Sequence, residues 1–131
     1  MTDMAHSHNI HISRLLFNCG VSVNMDFAFC QSWTNTHNVP QALKDYFDYH
    51  GDVKYIVRSD FSHYDWLNII REQIRQERPV QYRSKVLSGG VGHSWLCYGY
   101  KTVAGEVQLL FNFGWGGTGD GYFSLPEMTD K

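Results

Sequence analysis

Basic charge is not in excess in this chain. Its 131 residues hold 11 Lys and Arg against 13 Asp and Glu, a formal net charge of −2. Without a basic surplus to displace counterions, a general nucleic-acid binder is excluded. Long apolar runs are also missing. None approaches the ~18 residues of a membrane span, so no membrane partner is expected. The start, Met1-Thr-Asp-Met-Ala-His6, lacks the basic-then-apolar pattern of a signal peptide. Repeats and low-complexity tracts are absent. Cysteine is scarce: Cys19, Cys30 and Cys97 are odd in number and share no CxxC spacing. That argues against a disulfide framework or a zinc site and for free or buried thiols. No metal or organic cofactor is implied.

What is present suits one compact soluble domain, within the usual ~100–200 residues. Residues 1–10 read as a flexible, His-rich leader. His6, His8 and His11 with Asp3 make a loose metal site or, more simply, a polar tract. Ile12, Leu15, Leu16 and Cys19 recur as one buried helix face, with Gly20 as its C-cap. Asn38-Val39-Pro40 predicts a second helix start, with Val39, Ala42, Leu43, Tyr46 and Phe47 facing inward. Val53–Val57 predicts a strand. Ser62 and Asp65 predict a capping box, followed by a helix burying Trp66, Ile69, Ile70 and Ile74 and closed by Pro79. On that helix, 71–78 alternates charge as a solvated face.

Beyond Pro79 the period changes to two. Strands are predicted at Val80–Arg83, Ser94–Tyr100, Val107–Phe113 and Tyr122–Leu125, separated by Gly-rich breaks at 88–92 and 114–121. Helices first and antiparallel strands after define an α+β class. If Lys101–Ala104 is a hairpin loop, Leu96 faces Leu109 and His93 faces Asn112. Leu96, Tyr98, Val107, Leu109 and Phe111 then form the core face. His93, Trp95, Cys97, Leu110 and Asn112 form the other. Cross-strand Cβ atoms lie ~4.5–5.5 Å apart, so the His and Asn would meet. An Asn that fixes the tautomer of a His frees the other ring nitrogen to act as a base. A structural His–Asn pair with no chemical role fits the same spacing. The Gly-rich loop does not suit phosphate, because no Lys follows and no helix starts there.

Two longer blocks carry more information. They are Gly90-Val-Gly-His93-Ser-Trp-Leu96 and Phe111-Asn-Phe-Gly-Trp-Gly-Gly-Thr-Gly-Asp-Gly-Tyr-Phe123. With Gly20-Val-Ser-Val-Asn-Met-Asp26, Val39–Phe47, Arg58–Ser62 with Asp65-Trp66, and Pro79–Tyr82, they resemble the C-terminal catalytic half of streptopain-type cysteine peptidases, peptidase family C10. The resemblance spans about residues 11–127. It implies a partial papain-like domain over 11–131 and a polypeptide substrate or inhibitor as partner. It also implies bacterial export, which the missing signal peptide does not support.

Residue by residue, His93 resembles the family's catalytic base and Asn112 the residue that orients it. Gly92 resembles a cleft-lining position. Trp115 matches the second Trp of the family's Asn-Trp-Gly-Trp-Gly-Gly motif, where the indole covers the site. Phe113 replaces the first Trp, keeping the aromatic plate and losing an N–H donor. Residues 116–121 resemble the mobile active-site loop. Trp33 stands where the family has small cleft-flanking residues and would narrow the cleft.

The family's nucleophilic Cys precedes the matched region, so the chain is expected to lack it and, alone, to be inactive. Of the local thiols, Cys19 is expected on a buried helix face. Cys97 is four residues from His93, ~13 Å along a strand. Cys30 is the only conceivable substitute. Two further readings stay open: a non-catalytic papain-like module that binds a protein or inhibitor, and a domain of unrelated role on the same fold.

Overall fold

The computed structural model describes residues 10–84 and 92–126. The expected leader, with His6, His8 and Asp3, lies outside them except for Ile10, as does most of the Gly-rich break at 88–92. Two compact units divide at Ile56 and Val57. Within the described residues there are three helices and one four-stranded antiparallel sheet, an α+β architecture.

The first unit holds α1 (Ile10–Ser22) and α2 (Val39–Tyr46). The expected inward face of α1 is not buried. Leu15 and Leu16 are 55% and 67% exposed, Cys19 is exposed, and Gly20 alone is buried. Periodicity correctly marks a helix, but it does not say whether a partner covers the stripe. Gly20 does not cap the helix. It lies within α1, and a Cβ there would fall 2.6 Å from Phe27 Cζ, so the glycine makes room for the ring. The left-handed residue after α1 is Asn24, φ 54°. Two side chains hold the exit: Asn38 Nδ2 donates to the Val23 carbonyl at 3.0 Å, and Thr34 Oγ1 donates to the same oxygen.

Asn38 precedes α2 as expected, with Pro40 in the first turn, but its side chain makes no capping bond. Asn35 caps instead, accepting from the His37 N–H at 3.1 Å at the start of a 3-10 turn over Thr36–Asn38. Of the expected α2 stripe, Ala42 is buried and Tyr46 is 69% exposed. Residues 53–57 form no strand, contrary to the β-branched pattern, and no ladder pairs them among the described residues.

The second unit is α3 (His63–Arg75) followed by β1 (Val80–Ser84), β2 (His93–Val103), β3 (Glu106–Asn112) and β4 (Gly121–Ser124) in a meander. The capping box forms as expected. Ser62 Oγ accepts from the Asp65 N–H at 3.1 Å and donates to Asp65 Oδ2 at 2.7 Å. α3 buries Trp66, Leu67 and Ile70. Trp66 Nε1 donates to the Tyr82 hydroxyl at 2.6 Å, tying helix to sheet. Arg58 reaches from the entry of α3 to the Pro126 carbonyl and the His63 Nδ1.

The β2–β3 register departs from expectation. The hairpin turn is the two-residue Ala104-Gly105, not Lys101–Ala104, and Val103 pairs with Glu106. Both turn residues have positive φ, 51° and 86°, as a type I′ turn requires. A bulge follows: Cys97 pairs with Phe111 but Gly99 with Leu110, leaving Tyr98 as the extra residue. The strands approach so closely there that a Cβ on Gly99 would lie 3.1 Å from Leu110 Cδ2. Asn112 therefore stands opposite Leu96, not His93. The expected faces of β2 are reversed as well. Cys97 is fully buried opposite Phe111, whereas Leu96 and Tyr98 are 40% and 45% exposed.

Burial raises the Cys97 thiol from 9.0 to about 11, only partly offset by the Gly99 backbone. Burial also pushes the Tyr82 hydroxyl far above its ordinary value, against the lowering effect of Trp66. Both groups hold their protons more tightly folded than unfolded. Their stabilisation is complete below about pH 9 and is lost as pH rises toward 11, through Cys97 first. The urea midpoint is expected to fall across that window. An unchanged midpoint would contradict the assignment.

Candidate active site

His93 opens β2 and Asn112 ends β3. Carried past the last ladder pair, the register brings His93 level with Trp115. The imidazole and indole stack with centroids 4.6 Å apart and planes 23° from parallel. Phe113 stacks on the same indole at 5.5 Å. Behind the imidazole the rings continue through Trp95 at 6.1 Å to Tyr82, Phe111 and Phe123. The His thus sits at the end of an aromatic column built on the core face of the sheet. Trp115 is 57% exposed, so one side of the imidazole is roofed by a ring that itself faces solvent.

The ring's acceptor is a main-chain group. His93 Nε2 lies 2.9 Å from the Phe113 carbonyl oxygen. A carbonyl can only accept, so in the neutral imidazole Nε2 carries the hydrogen and Nδ1 keeps a free lone pair. The side chain of Asn112 does not take this place. Its Oδ1 accepts from the Gly114 N–H at 2.8 Å. That N–H belongs to the same peptide plane as the Phe113 carbonyl. Asn112 therefore holds the peptide that holds the ring. The spacing argument missed this because it assumed direct cross-strand contact.

Asp120 was also missed. Its Oδ1 accepts from the Phe113 N–H at 2.8 Å, closing the loop 113–120. A carboxylate between two glycines in a Gly-rich loop was the available signal. The loop turns through Gly114, Gly116, Gly117 and Gly119, all at positive φ.

The other expected site residues lie as follows. Gly92 is exposed, immediately before β2. Trp33 belongs to the first unit, 61% exposed, and exchanges both backbone hydrogen bonds with Asp26. Cys30 is exposed in the loop that this bridge closes. Cys97 shares the face of His93 but is buried and protonated at neutral pH. Among the described residues no three His, Cys, Asp or Glu gather as metal ligands, and no helix is long and apolar enough to cross a membrane.

The second unit thus brings together an imidazole, a fixed main-chain acceptor and an aromatic cover. Comparison with known proteins supplies a class. Streptopain of Streptococcus pyogenes is 37% identical over 117 residues, covering 89% of this chain and 28% of that protein. The thiol protease/hemagglutinin PrtT of Porphyromonas gingivalis is 35% identical over 114 residues, covering 87% of this chain and 13% of that protein. The chain thus spans under a third of the length of these relatives. The peptidase C10 family model matches residues 2–123, and the chain belongs to that family.

Proposed function

We propose that this chain is the C-terminal part of a papain-like cysteine endopeptidase domain, over residues 11–131, and that His93 is its general base. The observation that carries the reading is the imidazole held through Nε2 by the Phe113 carbonyl and roofed by Trp115. Nδ1 takes the proton of a thiol supplied by a segment outside the described residues. The thiolate attacks the peptide carbonyl carbon, and the imidazolium returns the proton to the leaving amine. Water then cleaves the thioester, with Nδ1 accepting its proton. Trp115 keeps bulk water from the ring and so strengthens its hydrogen bond. Gly92 and Phe113, on the second unit, contact the substrate; Trp33 is a substrate-contacting residue of the first. The substrates are polypeptides, and the cellular setting is export from a bacterium.

The test joins this chain in frame to the thiol-bearing part of streptopain and adds an epoxide directed at papain-like thiols. Stoichiometric labelling of the supplied thiol is expected, with none in the His93→Ala protein. Equal labelling of the His93→Ala protein overturns the reading. The chain alone is expected to take up no label. His93-dependent labelling at Cys30 would instead make that residue the nucleophile.

A further inference from the structure

Phe113 is one residue past the end of β3, so neither of its backbone polar groups has a ladder partner. Half-buried backbone groups in that position need other partners. Both find one. On its N-terminal side, the Phe113 N–H donates to Asp120 Oδ1 at 2.8 Å. On its C-terminal side, the Phe113 carbonyl accepts from His93 Nε2 at 2.9 Å, and the Gly114 N–H of that same plane donates to Asn112 Oδ1 at 2.8 Å. The two planes flanking the Phe113 Cα are thereby pinned, the first by Asp120 and the second by Asn112 and His93 itself. The carbonyl's direction depends on both planes, since the first sets where the second begins, and Asp120 holds that first plane.

The same carboxylate closes the loop that bears Trp115. Within that loop only turn bonds appear: Thr118 N–H to the Trp115 carbonyl at 3.1 Å and Asp120 N–H to the Gly117 carbonyl at 3.3 Å. With so many glycines at positive φ, the loop has little intrinsic preference for one shape. Asp120, anchored beside β4 at Gly121, joins the loop's far end to its start.

We propose that Asp120 is a positioning residue for His93: through the Phe113 N–H it fixes both the carbonyl that selects the ring tautomer and the loop that lays Trp115 on the ring. The inference rests on the reading of His93 as the base. A charge-assisted bond of this kind is among the stronger hydrogen bonds in a folded chain.

The readout is the His93 Hε2 proton, followed by NMR in the 15N-labelled full chain through its rate of exchange with water. In the native chain it is expected to exchange slowly. Asp120→Ala is expected to raise that rate about tenfold or more. The backbone amides of the β2–β3 ladder should not change. Asp120→Asn, which retains an acceptor oxygen, should restore a rate close to the native one. If the alanine chain loses its ladder, Asp120→Glu carries the test, with an intermediate acceleration expected from a carboxylate displaced by one methylene. An unchanged ring-proton rate overturns the proposal. So does a failure of the asparagine to rescue or, in the Asp120→Glu chain, an equal acceleration of the ladder amides. No thiol and no turnover enter this measurement, so its failure is distinct from failure of the peptidase reading.

Discussion

Replacing His93 by alanine in the polypeptide joined to its thiol is expected to lower kcat for peptide hydrolysis by a factor on the order of 10⁶. The magnitude follows from the way nucleophile and base act as a unit. Without Nδ1 the thiol keeps its proton at neutral pH, and the leaving amine has no acid. Among the described residues of the second unit the other histidine is His63, whose Nδ1 accepts from Arg58 at 3.2 Å. In the proposed mechanism the base acts on the thiol and not on substrate binding, so KM should change far less than kcat. Steady-state kinetics on a peptide substrate separate the two. A fall shared equally by both would point to a misfolded cleft.

The largest stability effect is expected at Phe111. Only 3% of it is exposed, and its ring meets those of Tyr82, Trp95, Phe113 and Phe123. Phe111→Ala should cost about 3–5 kcal/mol, the lost transfer free energy plus that of the cavity left behind. Whole domains are commonly stable by only about 5–15 kcal/mol, so this is a large share. Urea unfolding of the native and variant chains measures it. The same deletion opens a hole beneath Trp95, the ring behind His93, so the site should loosen with the core. A loss below about 1 kcal/mol would mean that the neighbouring rings collapse into the space.

Much of the second unit was legible in its sequence because local signals and tertiary contacts agree there. Ser62 and Asp65 announce the start of α3, and they form the box. Trp66 and Ile70 fall on the helical stripe, and both are buried. The four strands appear within a few residues of their expected ends. The register did not follow, for two physical reasons. A two-residue turn with Ala104 at positive φ lacks the usual Asn-Gly signature. The Tyr98 bulge then breaks the alternation on which any count depends. Both errors enter the inferred meeting of His93 with Asn112.

In the first unit the α1 stripe was apolar without being buried, since hydrophobic spacing describes a helix and not its neighbours. The candidate site was legible as residues but not as bonds. His93 and Trp115 do come together, whereas Asn112 acts one peptide away.

That arrangement shifts where the site is vulnerable. A carboxamide acceptor can be deleted by one codon change; a main-chain oxygen cannot. Any residue at 113 supplies the same oxygen, and so an aromatic ring there can be exchanged for another without touching the imidazole's partner. The sensitive positions are those that shape the turn. A side chain forced onto Gly114, φ 78°, would redirect the oxygen while leaving every named site residue in place.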